Sequence, residues 1–193
     1  MDKNIPIYDL LIDQTEDSTF EVNYVAFVDK PAIQRDFMAF NEAVKLRFSG
    51  DDERIVVGPA MIPDMLIFRN DPVMGDFYVK FSKQTIQDIA LKFFEKGYQK
   101  NVNLMHNSDV TLPGVTFYQS FIKDTAKGVT GMDGEYPEGT WFLAAKVNND
   151  DAWSLIKQGK VKGFSVEGLF KYKPKQLTPN EVFDQVKRLL ENI

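Results

Sequence analysis

The sequence contains no cysteine and only one histidine, His106, among its 193 residues. The absence of cysteine excludes disulfide frameworks, thiolate nucleophiles and zinc–thiolate sites. A single imidazole excludes mechanisms that need two, such as a multi-histidine metal centre or a Ser-His-His triad. We therefore expect a site that uses neither a metal nor a cofactor.

The chain also lacks an excess of positive charge and has no long hydrophobic run. It has 23 Lys and Arg against 28 Asp and Glu, a net charge of −5, which argues against nucleic-acid and anionic membrane partners. No window approaches the roughly 18 apolar residues of a membrane span, and the N-terminus does not resemble a signal peptide. We expect a soluble protein that is intracellular where it is made.

What the sequence does contain is enough apolar material for one core, with 44% hydrophobic and 13% aromatic residues. We expect a single domain over residues 1–193. Nine segments rich in β-branched and aromatic residues predict strands. They are residues 5–12, 20–28, 44–48, 55–61, 76–81, 102–105, 115–122, 140–147 and 162–172. This density of short strands is typical of a barrel.

Three helices are predicted between and after these strands. The first begins at Ser82 and ends at Gly97, with apolar residues at helical spacing, and the second covers about 150–158. The third, 178–193, starts with a capping box that has proline at the first helical position. Its wide apolar stripe needs a surface to cover, either the domain itself or a second copy, so we expect it to serve in oligomerisation.

His106 is the first candidate for a catalytic residue. It ends the apolar run 102–105, where a strand is expected to enter a polar loop, and such positions often present reactive groups. As a general base it would need a nucleophile and an acceptor for its second ring nitrogen. Three serines are candidates: Ser108, close to the histidine in sequence; Ser120, within an alternating strand; and Ser165.

The segment around Ser165 is the most unusual of the three. Glycines at 163 and 168 flank a strand in which Ser165 and Glu167 share one face, opposite Phe164 and Val166. Glycine weakens a strand unless something approaches the backbone closely. The pattern indicates either a functional site or a half-exposed strand with polar residues toward water.

A series of segments in this order and spacing resembles the XkdF-like phage serine proteases, relatives of the prohead (capsid maturation) proteases. The segments are residues 55–64, 78–82, 101–106, 139–142, 153–159 and 162–168, with 27–32 as an upstream match. The resemblance spans about residues 25–172. It implies an α+β, mainly β fold: a closed or partly open β-barrel surrounded by about three helices, similar to herpesvirus assemblin.

The resemblance also implies the chemistry. Ser165 would attack the scissile carbonyl, and His106 would accept its proton and return it to the leaving amine. The implied substrates are phage scaffold, major capsid and portal proteins, cleaved inside the assembling prohead in the host cytoplasm. We expect a homo-oligomer, a dimer or larger. We expect neither nucleic acid nor a membrane as a partner.

The third catalytic member and the oxyanion hole stay open at this point. Assemblin uses a second histidine, which this chain lacks, so an acid is the conventional replacement. Glu167 is the first choice and Asp109 the second, with Glu181 and Asp184 in the last helix as further candidates. Backbone N–H groups near Gly163 or Gly168 could form the oxyanion hole. A dyad oriented by a backbone carbonyl or a water is a further alternative. The rival interpretation is an inactive head-assembly or structural virion protein on the same fold, and a third is a peptide-binding module that adds a strand to an exposed sheet edge.

Overall fold

The computed structural model describes residues 5–29, 47–48, 53–132, 136–174 and 187. These residues form twelve strands, two α-helices and two short 3₁₀ turns. The strands are β1 (Ile7–Leu11), β2 (Val22–Val28), β3 (Arg47–Phe48), β4 (Ile55–Met61), β5 (Ile67–Asp71), β6 (Gly75–Lys80), β7 (Val102–Leu104), β8 (Asn107–Thr111), β9 (Val115–Ile122), β10 (Trp141–Val147), β11 (Gly163–Gly168) and β12 (Lys171–Pro174). The helices are α1 (Lys83–Glu95) and α2 (Asp150–Lys157), and the 3₁₀ turns are Tyr98–Lys100 and Thr125–Lys127.

The strands form three four-stranded sheets, with the orders β12-β1-β6-β5, β3-β4-β10-β9 and β11-β2-β7-β8. Pairing is antiparallel except between β1 and β6 and between β2 and β7, which are parallel. The parallel pair β2 and β7 joins segments that are far apart in sequence. Because β2 also pairs with β11, it brings β7 and β11, distant in sequence, into one sheet.

The expectation of a β-barrel surrounded by about three helices is wrong. In the part of the chain that the structure describes, each sheet keeps two edge strands and none closes on itself, and there are two α-helices. Closure would need a ladder between neighbouring sheets, such as β11 to β4. Instead, residues of both strands line a cavity. The mainly β content is as expected, and the predicted helix 178–193 lies outside the described residues, apart from Lys187.

The two predicted helices within the described ranges are confirmed. Ser82 caps α1, where its Oγ accepts a hydrogen bond from the Thr85 N–H at 3.1 Å, and Asn149 caps α2 in the same way through the Ala152 N–H. Each helix buries one apolar face, as an amphipathic helix on a globular core does. Neither described helix is long and apolar enough to span a membrane.

Two strands, β5 and β8, were not predicted, and both contain residues typical of turns. Strand β5 ends in Asn70 and Asp71, and β8 begins with Asn107, Ser108 and Asp109, which the sequence indicated as a loop. All five residues of β8 are exposed, so it lacks the apolar alternation by which strands are found. Tertiary pairing forms both strands: β5 with β6, and β8 with β7. The predicted strand 162–172 divides into β11 and the start of β12.

An aromatic cluster joins the site-bearing sheet to the rest of the core. Its rings lie with centroid separations of 5.4 to 6.5 Å. The members come from β2, α1, β9, β10 and β11: Phe27, Phe93, Phe117, Trp141 and Phe164. Edge-to-face pairs of this kind add about 0.5–1.5 kcal/mol each beyond the burial of their area. The apolar side of β11 is therefore anchored, which fixes the direction of its polar side.

Candidate active site

Strand β11 carries two of the predicted site residues on one face. Ser165 and Glu167 alternate with Phe164 and Val166, and Phe164 belongs to the core. Ser165 is only 4% exposed. A serine this deeply buried on an edge strand, beside an open cavity, is unusual, because buried hydroxyls cost free energy unless they find a partner.

The register of the sheet places three residues in one row. Ser165 of β11 pairs with Ala26 of β2, and Ala26 pairs with Asn103 of β7. Directly paired residues point to the same face of a sheet. Neighbouring strands lie about 4.8 Å apart, so Ser165 and Asn103 are separated by about 10 Å. The small side chain of Ala26 leaves the space between them free for longer side chains.

His106 lies in a tight turn, and this turn holds it in an unusual backbone conformation. Leu104 and Asn107 pair across a two-residue turn formed by Met105 and His106, with φ angles of 54° and 59°. Two positive φ values define a type I′ turn, which strongly favours asparagine and glycine. The left-handed region costs other residues roughly 1–2 kcal/mol each. Strain of this kind is found where a structure must aim a particular side chain.

Two contacts hold the turn against the end of β2. The Met105 N–H donates to the Phe27 carbonyl at 2.9 Å, and the Met105 sulfur accepts a hydrogen bond from the Asp29 N–H at 3.2 Å. These contacts are made by Met105 and not by His106. The backbone of the turn is thus held by one residue while the side chain of the next projects into the cavity.

The imidazole of His106 faces Glu167. His106 Nδ1 lies 3.0 Å from Glu167 Oε1, and the same oxygen accepts a hydrogen bond of 2.7 Å from Asn103 Nδ2. A carboxylate beside Nδ1 holds the proton of a neutral imidazole on that nitrogen and leaves Nε2 as the acceptor. This is the arrangement of an orienting acid and a general base.

Asn103 is a site residue that the sequence reasoning missed. It is 1% exposed and sits inside an apolar strand, where its amide holds the carboxylate of Glu167 in place. The available signal in the sequence was an amide at 103 within an otherwise apolar run, three residues before the only histidine. Buried polar side chains are expected to have hydrogen-bonded partners, so this asparagine indicated a partner of some kind.

Ser165, His106 and Glu167 border one cavity of about 410 Å³, a size typical of ligand pockets. Its walls come from all three sheets and from the segments that connect them. The lining residues are Leu10, Ala60, Met61, Ile62, Met65, Ile67, Arg69, Phe81, His106, Phe164, Ser165, Val166, Glu167, Gly168, Phe170 and Tyr172. The His106 side chain is 42% exposed, so the site is open to solvent.

The structure does not join Ser165 to His106 directly. Within the described residues there is no hydrogen bond between the Ser165 hydroxyl and the imidazole, although both side chains border the same cavity. In enzymes without substrate, the bond between nucleophile and base is often long and shortens only when substrate binds. The arrangement is compatible with a triad that substrate completes.

The other candidates lie elsewhere. Asp109 is exposed on β8, and neither it nor Ser108 borders the cavity. Ser120 has a packing role, since its Oγ accepts a hydrogen bond from Trp141 Nε1 at 2.9 Å. Glu181 and Asp184 lie outside the described residues.

Among the described residues, β11 pairs along one edge only, with β2. The Val25 N–H donates to the Asn101 carbonyl and the Phe27 carbonyl accepts from the Met105 N–H, so the backbone groups of these two residues of β2 point toward β7. By alternation the backbone groups of Ala26 point toward β11, and those of its partner Ser165 point toward β2. The N–H groups of Phe164 and Val166 therefore point away from β2, and both residues border the cavity.

A comparison with protein families adds an independent observation. The family model described as "Putative phage serine protease XkdF" matches residues 43–173, about two thirds of the chain. The chain belongs to this family. The resemblance read from the sequence segments is thereby confirmed, while the upstream segment 27–32 lies outside the matched residues. His106, Ser165, Glu167 and Asn103 all lie within them. No curated protein and no solved structure matches the chain.

Proposed function

We propose that this protein is a serine endopeptidase of the prohead protease class, with Ser165 as nucleophile, His106 as general base and Glu167 as the residue that orients the imidazole. One observation carries the proposal. The only imidazole of the chain faces a carboxylate at 3.0 Å, and both border the same cavity as a buried serine on the strand that bears that carboxylate.

The reaction follows from these positions. Ser165 Oγ attacks the scissile carbonyl carbon while His106 Nε2 accepts the hydroxyl proton, giving a tetrahedral oxyanion. The C–N bond then breaks, His106 returns the proton to the leaving amine, and an acyl-serine remains. Water, deprotonated by His106, hydrolyses this ester and restores Ser165. The negative charge of Glu167 favours the imidazolium that forms in both halves of the reaction.

The free edge of β11 supplies the donors for the oxyanion. The Val166 N–H follows the nucleophile directly and points away from β2, the Phe164 N–H precedes it on the same edge, and both residues border the cavity. Fixed donors of this kind typically contribute about 10²–10³ in rate each. With these two donors, the proposed oxyanion hole lies between Gly163 and Gly168, and the N–H groups of the two glycines are not part of it.

The substrates proposed are scaffold, major capsid and portal proteins, cleaved in the assembling prohead in the host cytoplasm by a homo-oligomer. Membership of a phage serine protease family supports the phage setting and the protease chemistry. The substrates and the oligomer come from the likeness to prohead proteases. An inactive head-assembly protein on the same fold is the second candidate, favoured by the lack of a hydrogen bond between Ser165 and His106 in the described residues.

Co-expression with the capsid and scaffold proteins of the same phage decides between the two. Wild type, Ser165→Ala and His106→Ala would be compared by the intact masses of all the proteins. Discrete fragments formed only with wild type are expected. Equal uncut masses in all three, with shells still assembled, would overturn the protease proposal in favour of the structural one.

A further inference from the structure

The cavity beside Ser165 is much larger than the catalytic chemistry requires, and its composition is uneven. Among the described residues, the lining includes the polar groups of Ser165, His106 and Glu167, and Arg69 is the one further charged side chain. The other lining residues, apart from Gly168 and Tyr172, have apolar side chains, and Leu10 and Met61 among them are buried.

The apolar walls are contributed by separate parts of the fold. Strands β1 and β5 provide Leu10 and Ile67, and the segment after β4 provides Ile62 and Met65. Phe81 and Phe170 complete the wall as an edge-to-face pair with centroids 5.0 Å apart. An apolar pocket assembled from three sheets and opening onto a candidate nucleophile is typical of a site that selects its ligand by burial.

We propose that this cavity selects substrates with a large unbranched or γ-branched apolar side chain, leucine, methionine or phenylalanine, on the residue whose carbonyl Ser165 attacks. The inference rests on the proposed function. When that carbonyl carbon is beside Ser165 Oγ, the side chain of the same residue is attached one bond away and enters the cavity.

The chemistry of the walls sets the preference. A charged side chain would lose its water on entering an apolar pocket, which is costly without a partner. Arg69, whose Nη1 donates to the Phe68 carbonyl at 3.0 Å, is an exposed residue of the lining and not part of its buried wall. Methionines at 61 and 65 give the wall flexible, polarisable surfaces that accommodate apolar groups of different shape. The cavity thus favours apolar character and size over one particular residue.

The test is cleavage of a mixture of synthetic peptides that presents every amino acid at each position, with products identified by mass spectrometry. Wild type is compared with Ser165→Ala, Met65→Lys and Leu66→Lys. Met65 lines the cavity, whereas its neighbour Leu66 is 45% exposed and does not, so the pair is matched in charge and in place.

Wild type is expected to cleave after leucine, methionine and phenylalanine at least about tenfold faster than after charged residues, the scale by which apolar pockets discriminate. Met65→Lys should lose this preference and gain cleavage after glutamate or aspartate, while Leu66→Lys keeps the wild-type pattern. Met65→Ala provides a second variant that introduces no charge. By enlarging the cavity it should favour phenylalanine over leucine.

The outcomes separate the two proposals. Cleavage that depends on Ser165 but prefers charged residues, including a glutamate held by Arg69, or that shows no preference, overturns the apolar selection and leaves the protease standing. Cleavage with an apolar preference that Leu66→Lys changes as much as Met65→Lys also overturns it. If no peptide is cut in a Ser165-dependent manner, the protease proposal fails and this inference fails with it.

Discussion

Strands β10 and β11 both enter the core, but they are held in different ways. In β10 six of seven residues are buried, and ladders to β4 and β9 occupy both of its edges. In β11 three of six residues are buried, and among the described strands β2 alone pairs with it. Strand β10 is entirely apolar apart from Lys146. Strand β11 places Ser165 and Glu167 on one face and has no partner on its second edge among the described strands.

Under the proposed function, the difference follows from what a catalytic site requires of a strand. An edge strand leaves backbone N–H groups unpaired, which would give an oxyanion its donors but removes half of the ladder that would stabilise the strand. Polar side chains next to a core reduce stability further. Strand β11 therefore needs support from outside its sheet, and its C-terminal end receives it from Glu21.

Glu21 meets the end of β11 through its backbone, while its side chain is held by α1 and the 3₁₀ turn that follows it. Its carbonyl accepts the Leu169 N–H at 3.1 Å, directly beside Gly168. Its carboxylate accepts a hydrogen bond from Tyr98 Oη at 2.6 Å and lies 3.2 Å from Lys92 Nζ. Lys92 in turn donates to the carbonyls of Asp13 and Thr15. The buried ion pair between Lys92 of α1 and Glu21 thus fixes Glu21, whose carbonyl accepts the hydrogen bond at the end of the candidate catalytic strand.

The largest expected effect concerns the polar face of β11. Glu167→Gln should lower kcat on the order of 10⁴-fold, because the imidazole loses the charge that orients it and stabilises its protonated form. Asp109→Asn is the matched control and should keep wild-type activity, since Asp109 is exposed on β8 and away from the cavity. Steady-state kinetics on a cleaved substrate measures both. Equal losses in the two variants would contradict the assignment of Glu167.

A smaller but still large effect concerns the support of β11 by Glu21. A Cβ at Gly168 would lie 2.0 Å from the Glu21 carbonyl oxygen, so Gly168→Ala should lower the free energy of unfolding by about 3 kcal/mol through overpacking. At Gly128, where φ is +79° and nothing lies within 4 Å, alanine should cost only about 1–2 kcal/mol of backbone strain. Urea unfolding compares the two, and a smaller loss at 168 than at 128 would contradict the close approach.

The contrast between the strands predicts a reciprocal pair of substitutions. Ala145 is completely buried in β10, so Ala145→Ser should lower the free energy of unfolding by about 1–3 kcal/mol, because the new hydroxyl is buried without a partner. Ser165→Ala should instead leave stability unchanged or raised while activity is lost. Thermal unfolding and peptide cleavage measure the two readouts. A strong destabilisation by Ser165→Ala would give Ser165 a structural role.

The smallest effect depends on pH. Burial acts to raise the pKa of Glu21, but the hydrogen bond from Tyr98 and the ion pair with Lys92 outweigh it and lower the pKa below its usual value. A lowered pKa in the folded state adds stability that is present above the unfolded value of about 4.3 and is lost as pH falls through the folded value.

Glu21→Gln should therefore be less stable than wild type near neutral pH, and the gap in melting temperature should narrow as pH falls below about 4. Tyr98→Phe removes the hydrogen bond from the same carboxylate and should move the acid-induced loss of stability to higher pH. Calorimetric scans at several pH values test both. A gap that stays constant with pH would show that Glu21 does not have this lowered pKa.

Local features of the fold were predictable from the sequence because the groups that produce them are near in the chain. The caps at Ser82 and Asn149 bond to residues three positions on, and the alternation around Ser165 belongs to a single strand. The same reasoning gave His106 and three serines, Ser165 among them, as candidates, and the family resemblance favoured Ser165 with Glu167 as the first choice of acid. It missed β8 because a strand of exposed polar residues has no periodic signal of its own.

The prediction of a barrel was wrong because barrel closure depends on groups that are far apart in the chain. Whether sheets close depends on ladders between strands far apart in sequence, and strand density alone does not determine them. The tertiary structure was also needed to show that His106 lies beside Glu167 and that Asn103 bonds to the same carboxylate. Asn103 and Glu167 are 64 positions apart and meet only because β2 pairs with β7 on one side and β11 on the other.

The sequence by itself determined the residue types available for chemistry, the two described helices and most of the described strands, because composition, capping and alternation act over a few residues. Only the tertiary structure decided which acid faces the imidazole, that β11 keeps a free edge, and that an apolar cavity lies beside the serine. Those features arise from pairing and packing between distant segments, whose free energies depend on the whole fold.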